Sequence, residues 1–199
     1  MKLINIQNKD YEIVIVGMGY VGLTYALYLN KIGYKVIGVE NNNIVQDSIN
    51  SKNLPFFEKG LEKYLNQFIT NNMINVQSPK EFKDQISDIA KVYIITVGTP
   101  INNNKIDKTS IIKVFNFLNN VVTGEDAISL RSTVALGYTR KYCENLSVKT
   151  KYCFAPERTI EGKAIEELST LPQVFGANDP DSKIFFNNFF SQVSSETFE

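Results

Sequence analysis

Six short β-branched runs punctuate the chain: "YEIVIVG" at 11–17, "YKVIGVE" at 34–40, "MINVQ" at 73–77, "KVYIITVG" at 91–98, "AISL" at 127–130 and "YCFA" at 152–155. Roughly 15 to 35 residues separate neighbouring runs, enough for a crossover helix and too many for a hairpin. Strands joined in that way lie parallel. The runs at 13–16 and 92–95 are almost unbroken apolar, as strands covered on both faces should be. In the first gap Val21, Leu23, Ala26, Leu27, Leu29 and Ile32 recur at helical spacing, and Gly33 is placed to end the helix. These patterns predict an α/β fold, a doubly wound and mostly parallel sheet with helices on both faces, as a single domain over residues 1–199. A chain of that size buries roughly 70% of its unfolded surface, so a large core is available.

Charge narrows the partners. Lysine plus arginine equals aspartate plus glutamate at 21 each, so no overall field draws the protein to nucleic acid or to a membrane surface, and neither is an expected partner. The opening "MKLINIQNKDYEIVIVG" lacks a long apolar stretch with a small-residue cleavage site, and no segment approaches about 18 uninterrupted apolar residues, which predicts a cytoplasmic protein. Histidine is absent, and Cys143 and Cys153 lack metal-type spacing. No metal site is expected, and both cysteines read as small buried apolar side chains. Carboxylates, hydroxyls, lysines and backbone amides must carry any chemistry.

Directly after the first strand, "GMGYVG" (Gly17, Met18, Gly19, Tyr20, Val21, Gly22) fits G-x-G-x-x-G and opens the helix. Gly17 permits a tight turn, Gly19 lets a pyrophosphate approach the backbone, and Gly22 lets the helix pack close to the sheet. Amides at the helix start then face the anion, which needs no basic side chain. Glu40 ends the second strand, 18 residues beyond Gly22, where an acid accepts hydrogen bonds from both ribose hydroxyls of an adenosine. Such bonds are worth about 1.5–3 kcal/mol each, and the same carboxylate repels a 2′-phosphate. The expected cofactor is therefore NAD on a Rossmann-type fold; the alternative for Glu40 is a solvated strand end.

Polar clusters follow three further strands. "VGTP" supplies Gly98, Thr99 and Pro100, "RSTV" supplies Arg131, Ser132 and Thr133, and "PERTIEG" (156–162) supplies Glu157, Arg158, Thr159, Ile160 and Glu161. In an open α/β sheet ligands bind outside the carboxyl ends of the strands. The hydroxyls suit the nicotinamide half, Arg131 offers a cation, and Glu157 with Glu161 offers general-base capacity. Each also has an ordinary reading. Gly98 and Pro100 turn the chain, Ser132 or Thr133 is a turn or cap residue, and Pro156 starts a helix whose first turn holds Glu157 while Arg158 pairs an acid at the surface. The asparagines at 41–43 and 102–104 read as turns. The C-terminal "DPDSKIFFNNFFSQVSSETFE" predicts a helix from about Asp179 to Phe190 and a strand-like tail. Its Phe185, Phe186, Phe189 and Phe190 form either core or a partner surface.

Taken in order, "GMGYVGL", "PFFEKGL" (55–61), "VGTP", "LRSTVALG" (130–137) and "PERTIEGKAIEELSTLPQVFG" (156–176) resemble the nucleotide-sugar 6-dehydrogenases, the family of UDP-glucose and UDP-N-acetylmannosamine dehydrogenases. The resemblance implies oxidation of the C6 alcohol of a UDP-sugar to a carboxylate in two NAD-dependent steps through a thiol-bound intermediate, serving capsule or envelope polysaccharide synthesis. It implies that the loop glycines and Glu40 hold adenosine and pyrophosphate, and that Thr99, Thr133 and Glu161 contact the cofactor. Glu157 then handles protons and water, with a pKa raised by desolvation on closure of the cleft, and residues 157–161 border the sugar. Two positions depart from the pattern: Val45 stands where a basic residue is common, and Ala177 replaces the second glycine of a usual pair. Relatives continue into a linker helix and a second domain carrying the nucleophilic cysteine, and they form dimers or larger assemblies. Neither Cys143 nor Cys153 matches that cysteine's glycine-rich motif. The chain is thus expected to be the N-terminal NAD-binding domain, binding NAD without completing the oxidation. Two alternatives stand beside it: another Rossmann dehydrogenase of the 6-phosphogluconate or 3-hydroxyacyl-CoA type, and an NAD-responsive interaction module presenting its phenylalanine-rich helix.

Overall fold

Residues 2–58, 60–102 and 105–199 are described by a computed structural model, Lys105 by its backbone alone. At the centre runs β2 (Lys9–Val16), with β3 (Val36–Val39) on one side and β5 (Lys91–Ile95) on the other, both parallel to it. Val14 thus lies between Ile37 and Tyr93. With β4 (Ile74–Gln77), β8 (Ala127–Leu130) and β9 (Lys151–Phe154), the parallel strands run in the order β4-β3-β2-β5-β8-β9. That is the doubly wound order, with its reversal between β2 and β5. All six expected strands are present.

Several short pairings were not legible beforehand. β1 (Ile4–Ile6) folds back antiparallel on the start of β2 through Gln7 and Asn8, whose φ angles of 53° and 65° make a tight hairpin turn. β6 (Ile101–Asn102) pairs β7 (Lys105–Ile106), β10 (Gln173–Val174) pairs the tail strand β12 (Thr197–Phe198), and β11 (Gly176–Ala177) closes the β9 edge antiparallel. Asn103 and Asn104 of the expected 102–104 turn, and Lys59 of "PFFEKGL", lie outside the described residues.

Strand alternation divides the core. Ile13, Ile15, Val92 and Ile94 face one layer, with α1 (Tyr20–Lys31), α3 (Leu61–Thr70) and α8 (Pro180–Val193). Val14, Val16, Tyr93 and Ile95 face the other, with α4 (Pro79–Asp84), α5 (Thr109–Leu118) and α6 (Tyr138–Glu144). Two shorter helices, α2 (Asn43–Asn50) and α7 (Ala164–Thr170), flank the first layer. α1 departs from the expected stripe: every residue from Gly22 to Asn30 is buried, while Ile32 falls outside the helix and is exposed. The reason is that α3 and α7 pack against it as well as the sheet. Gly33, with φ 100°, ends the turn as expected.

α8 is capped by Asp179, whose carboxylate accepts from the Ser182 amide, with Pro180 in the first turn. Phe185, Phe186, Phe189 and Phe190 are at most 2% exposed, so they are core and present no partner surface. Burial of this kind contributes at most about 1.5–3 kcal/mol per side chain. Cys143 and Cys153 are likewise buried and unpaired, and burial pushes both thiols well above their ordinary pKa. Among the described residues no helix is long and apolar enough to cross a membrane.

Candidate functional site

Where β2 ends, the chain turns through Gly17 at φ 95°, and its amide donates to the Val39 carbonyl at 2.8 Å. A Cβ on Gly22 would stand 1.9 Å from the Gly17 oxygen and 2.6 Å from the Thr96 hydroxyl, so no larger residue fits. A Cβ on Gly19 would meet nothing within 4 Å. The loop is therefore closed behind and open in front. Beside it lies a cleft of about 500 Å³, lined by Gly17, Gly19, Glu40, Thr96, Gly98 and Lys113 among others. It sits at the β2/β5 reversal and is of a size that suits a cofactor. The glycine-shaped cradle and open mouth fit a dinucleotide.

Glu40 is more than a solvated strand end. One carboxylate oxygen accepts from the Met18 amide at 2.7 Å and the other from the Asn42 amide at 2.8 Å, binding the acid to the glycine loop. Thr96 supports the same loop from β5, donating to the Gly17 carbonyl at 2.7 Å.

The remaining clusters meet along this rim. Thr99 donates to the Thr133 carbonyl at 2.7 Å, and Ser132 donates to that of Val97 at 2.7 Å. Ser132 is buried and Thr133 exposed. Neither caps a helix, since α6 starts after Gly137. The Pro100 carbonyl accepts from the Asp107 amide at 2.7 Å, and no turn is found at residues 98–100. Pro156 does not begin a helix: residues 155–160 belong to no helix or strand and α7 starts only at Ala164. Their tether to the glycine loop is Gly162, whose amide lies 2.7 Å from Glu58 and 3.1 Å from the Tyr20 hydroxyl; Tyr20 itself donates to Glu58 at 2.8 Å. Burial, and then the Glu58 bond, push the Tyr20 pKa up to about 12, so its proton stays in place.

Two residues do not serve as expected. Arg131 is 3% exposed and is no free cation for a ligand, because its guanidinium bonds Glu157 at 2.7 Å and Gln173 at 2.8 Å. Among the described residues Arg158 pairs no acid and instead donates to the Pro172 carbonyl at 3.0 Å. Ile160 and Glu161 are exposed and Thr159 is half-buried.

The raised pKa expected of Glu157 belongs to a closed cleft; in the 199-residue chain by itself the balance runs the other way. Burial alone would raise it. The Arg131 charge and hydrogen bond, with the amides of Thr159 and Arg158, outweigh burial and hold the carboxyl below its ordinary value. A depressed folded pKa contributes stability above the unfolded value, and that contribution is lost as pH falls through the folded one. A Glu157→Gln variant is therefore expected to be less stable at neutral pH by about 1.5–3 kcal/mol. The difference should shrink below about pH 4.5, the ordinary value. Denaturant titrations from neutral to acid check this, and a pH-independent difference refutes it.

Sequence reasoning missed the roles of Thr96, Glu58, Gln173 and the α5 residues Ser110 and Lys113 that face the cleft. Thr96 was signalled by its place just before "VGTP". Glu58 and Gln173 lay inside quoted motifs, and Ser110 and Lys113 carried no local signal.

This fold and cleft define a dinucleotide-binding Rossmann domain, to whose glycine loop the segment after β9 is tied through Gly162, Tyr20 and Glu58. Residues 11–194 match the UDP-glucose/GDP-mannose dehydrogenase family, NAD binding domain. The chain belongs to that family, and its cofactor is NAD. It is 32% identical over 179 residues to a UDP-N-acetyl-D-mannosamine dehydrogenase from Methanococcus aeolicus, covering 84% of this chain and 39% of that protein. A UDP-glucose 6-dehydrogenase from Rickettsia conorii is 24% identical over 196 residues, covering 94% and 44%. Among solved structures, a Pyrococcus horikoshii UDP-D-ManNAc dehydrogenase superposes with TM-score 0.85 at 21% identity, covering 94% of this chain and 46% of that one. A ternary complex of GDP-mannose dehydrogenase from Pseudomonas aeruginosa gives 0.81 at 26%, covering 94% and 45%. The chain thus spans about two fifths of the length of the curated relatives it matches. The family match displaces the 6-phosphogluconate and 3-hydroxyacyl-CoA alternatives.

Proposed function

We propose that residues 1–199 form the NAD-binding domain of an enzyme that oxidises the C6 alcohol of a UDP-hexose or UDP-N-acetylhexosamine to the uronic acid. When bound, NAD accepts hydride in both oxidations. Gly17, Met18, Gly19, Tyr20, Val21 and Gly22 offer backbone to the pyrophosphate, and Glu40 takes the adenosine ribose. The apolar wall of Val39, Pro79, Val114 and Phe117 suits a planar base. Gly98, Thr99, Pro100, Ser132, Thr133 and Glu161 border the nicotinamide half. Glu157 takes up protons during hydrolysis of a thiol-bound intermediate, Thr133 assists the reaction, and Arg158, Thr159, Ile160 and Glu161 lie toward the sugar. The nucleophilic thiol comes from outside these 199 residues, because both cysteines here are buried. The assembly is a cytoplasmic homodimer or larger, supplying uronic acids to capsule or envelope polysaccharide.

The observation that carries this reading is the Gly162–Tyr20–Glu58 tether, which brings the two-carboxylate segment to the glycine loop. Calorimetry of the 199-residue chain is expected to show NAD binding with much weaker NADP binding. Added UDP-glucose or UDP-N-acetylmannosamine should produce no steady NADH signal. Failure to bind NAD would overturn the proposal, and sustained NADH formation would overturn the division of labour.

A further inference from the structure

Arg131 follows the last residue of β8, and its side chain is 2% exposed. A guanidinium removed from water must find a counter-charge and fixed acceptors. Here Nη2 lies 2.7 Å from Glu157 Oε2 and Nη1 2.8 Å from Gln173 Oε1, while the Tyr25 ring lies 4.4 Å from the guanidinium carbon. The other oxygen of Glu157 accepts from the Arg158 and Thr159 amides, each at 2.8 Å. One carboxylate is thus held from both sides, by its own loop and by a cation from the neighbouring strand.

We infer that Arg131 is a positioning residue for Glu157: it holds the carboxylate ionised and in one orientation at the rim while touching neither cofactor nor sugar. The inference rests on the proposed role of Glu157 in proton handling. The alternatives around Glu157 are few. Tyr25 from α1, Glu167 from α7, Gln173 from β10 and Arg158 from its own loop line the same small chamber. The Arg158 guanidinium turns to Pro172, and Glu167 accepts from the Ile160 amide. Among the described residues Arg131 is the cation paired with Glu157. A neutral residue at 131 leaves a half-buried carboxylate with two amides for support, and burial then favours its protonated form. A base that starts protonated accepts nothing.

The test is an NMR titration of the Glu157 side-chain carboxyl in the 199-residue chain, made without nucleotide. In the natural protein the midpoint should lie below that of an exposed glutamate, and the Arg131 guanidinium nitrogens should shift with the same midpoint. In Arg131→Met the Glu157 midpoint should move upward past that of an exposed glutamate, and Arg131→Lys should restore part of the depression. An unmoved midpoint in Arg131→Met overturns the inference. Should that variant fail to fold, guanidinium resonances in the natural protein that ignore the Glu157 titration overturn it equally. Absence of NAD binding would defeat the proposed function and leave this titration unaffected, so the two failures are distinguishable.

Discussion

A Gly22→Val variant is expected to lose both NAD binding and a large part of its stability. The new side chain would begin with a Cβ 1.9 Å from the Gly17 carbonyl oxygen and 2.6 Å from the Thr96 hydroxyl. Neither neighbour yields easily: one is backbone, and the other bonds that same carbonyl. Overpacking costs typically 1–3 kcal/mol, and with backbone as the obstacle about 3 kcal/mol is expected. Pushing α1 off the sheet also misdirects the amides at its start, and each charge-assisted bond lost to a pyrophosphate costs about 1.5–3 kcal/mol, or roughly 10- to 150-fold in affinity. Gly19→Ala separates the two effects. Its backbone is extended at φ −70° and its Cβ would meet nothing, so stability should hold while the methyl intrudes where the cofactor approaches. Denaturant midpoints and calorimetry on both variants check this. A stable, NAD-binding Gly22→Val would refute the cradle.

Glu40→Ala should weaken NAD by a comparable factor and narrow its margin over NADP. Two consequences combine. The variant lacks the carboxylate that accepts from ribose hydroxyls, at about 1.5–3 kcal/mol per bond. It also leaves the Met18 and Asn42 amides without their acceptor, loosening the loop that faces the pyrophosphate. Removing the negative charge ends its repulsion of a 2′-phosphate, so NADP should lose less affinity than NAD. Calorimetric titration with both nucleotides measures the ratio; an unchanged ratio would remove Glu40 from the ribose site.

Much of the site was legible because its parts are contiguous. The strand–glycine–helix passage from Tyr11 to Lys31 carries its own turn, anion cradle and helix start, and it folds as read. The strand ends after β5, β8 and β9 could be placed on one rim, since parallel strands all point their carboxyl ends the same way. Reading failed where partners come from distant segments. α1 looked like a one-sided helix because nothing in its own residues reports that α3 and α7 enclose it. Arg131 and Arg158 are equally basic in the sequence, yet Arg131 meets an acid and Arg158 a backbone carbonyl. The phenylalanines of α8 had two readings until packing closed one.

By itself, the sequence determined the parallel sheet, the glycine cradle and the acid that follows β3, because each is written in the period, turn chemistry or spacing of neighbouring residues. Only the tertiary structure decided that Glu157 is clamped by Arg131, which in this chain holds its carboxyl below the ordinary pKa. That outcome depends on β8 and β9 lying side by side, which brings together residues 26 positions apart, and on burial and charge competing at a point no local pattern describes.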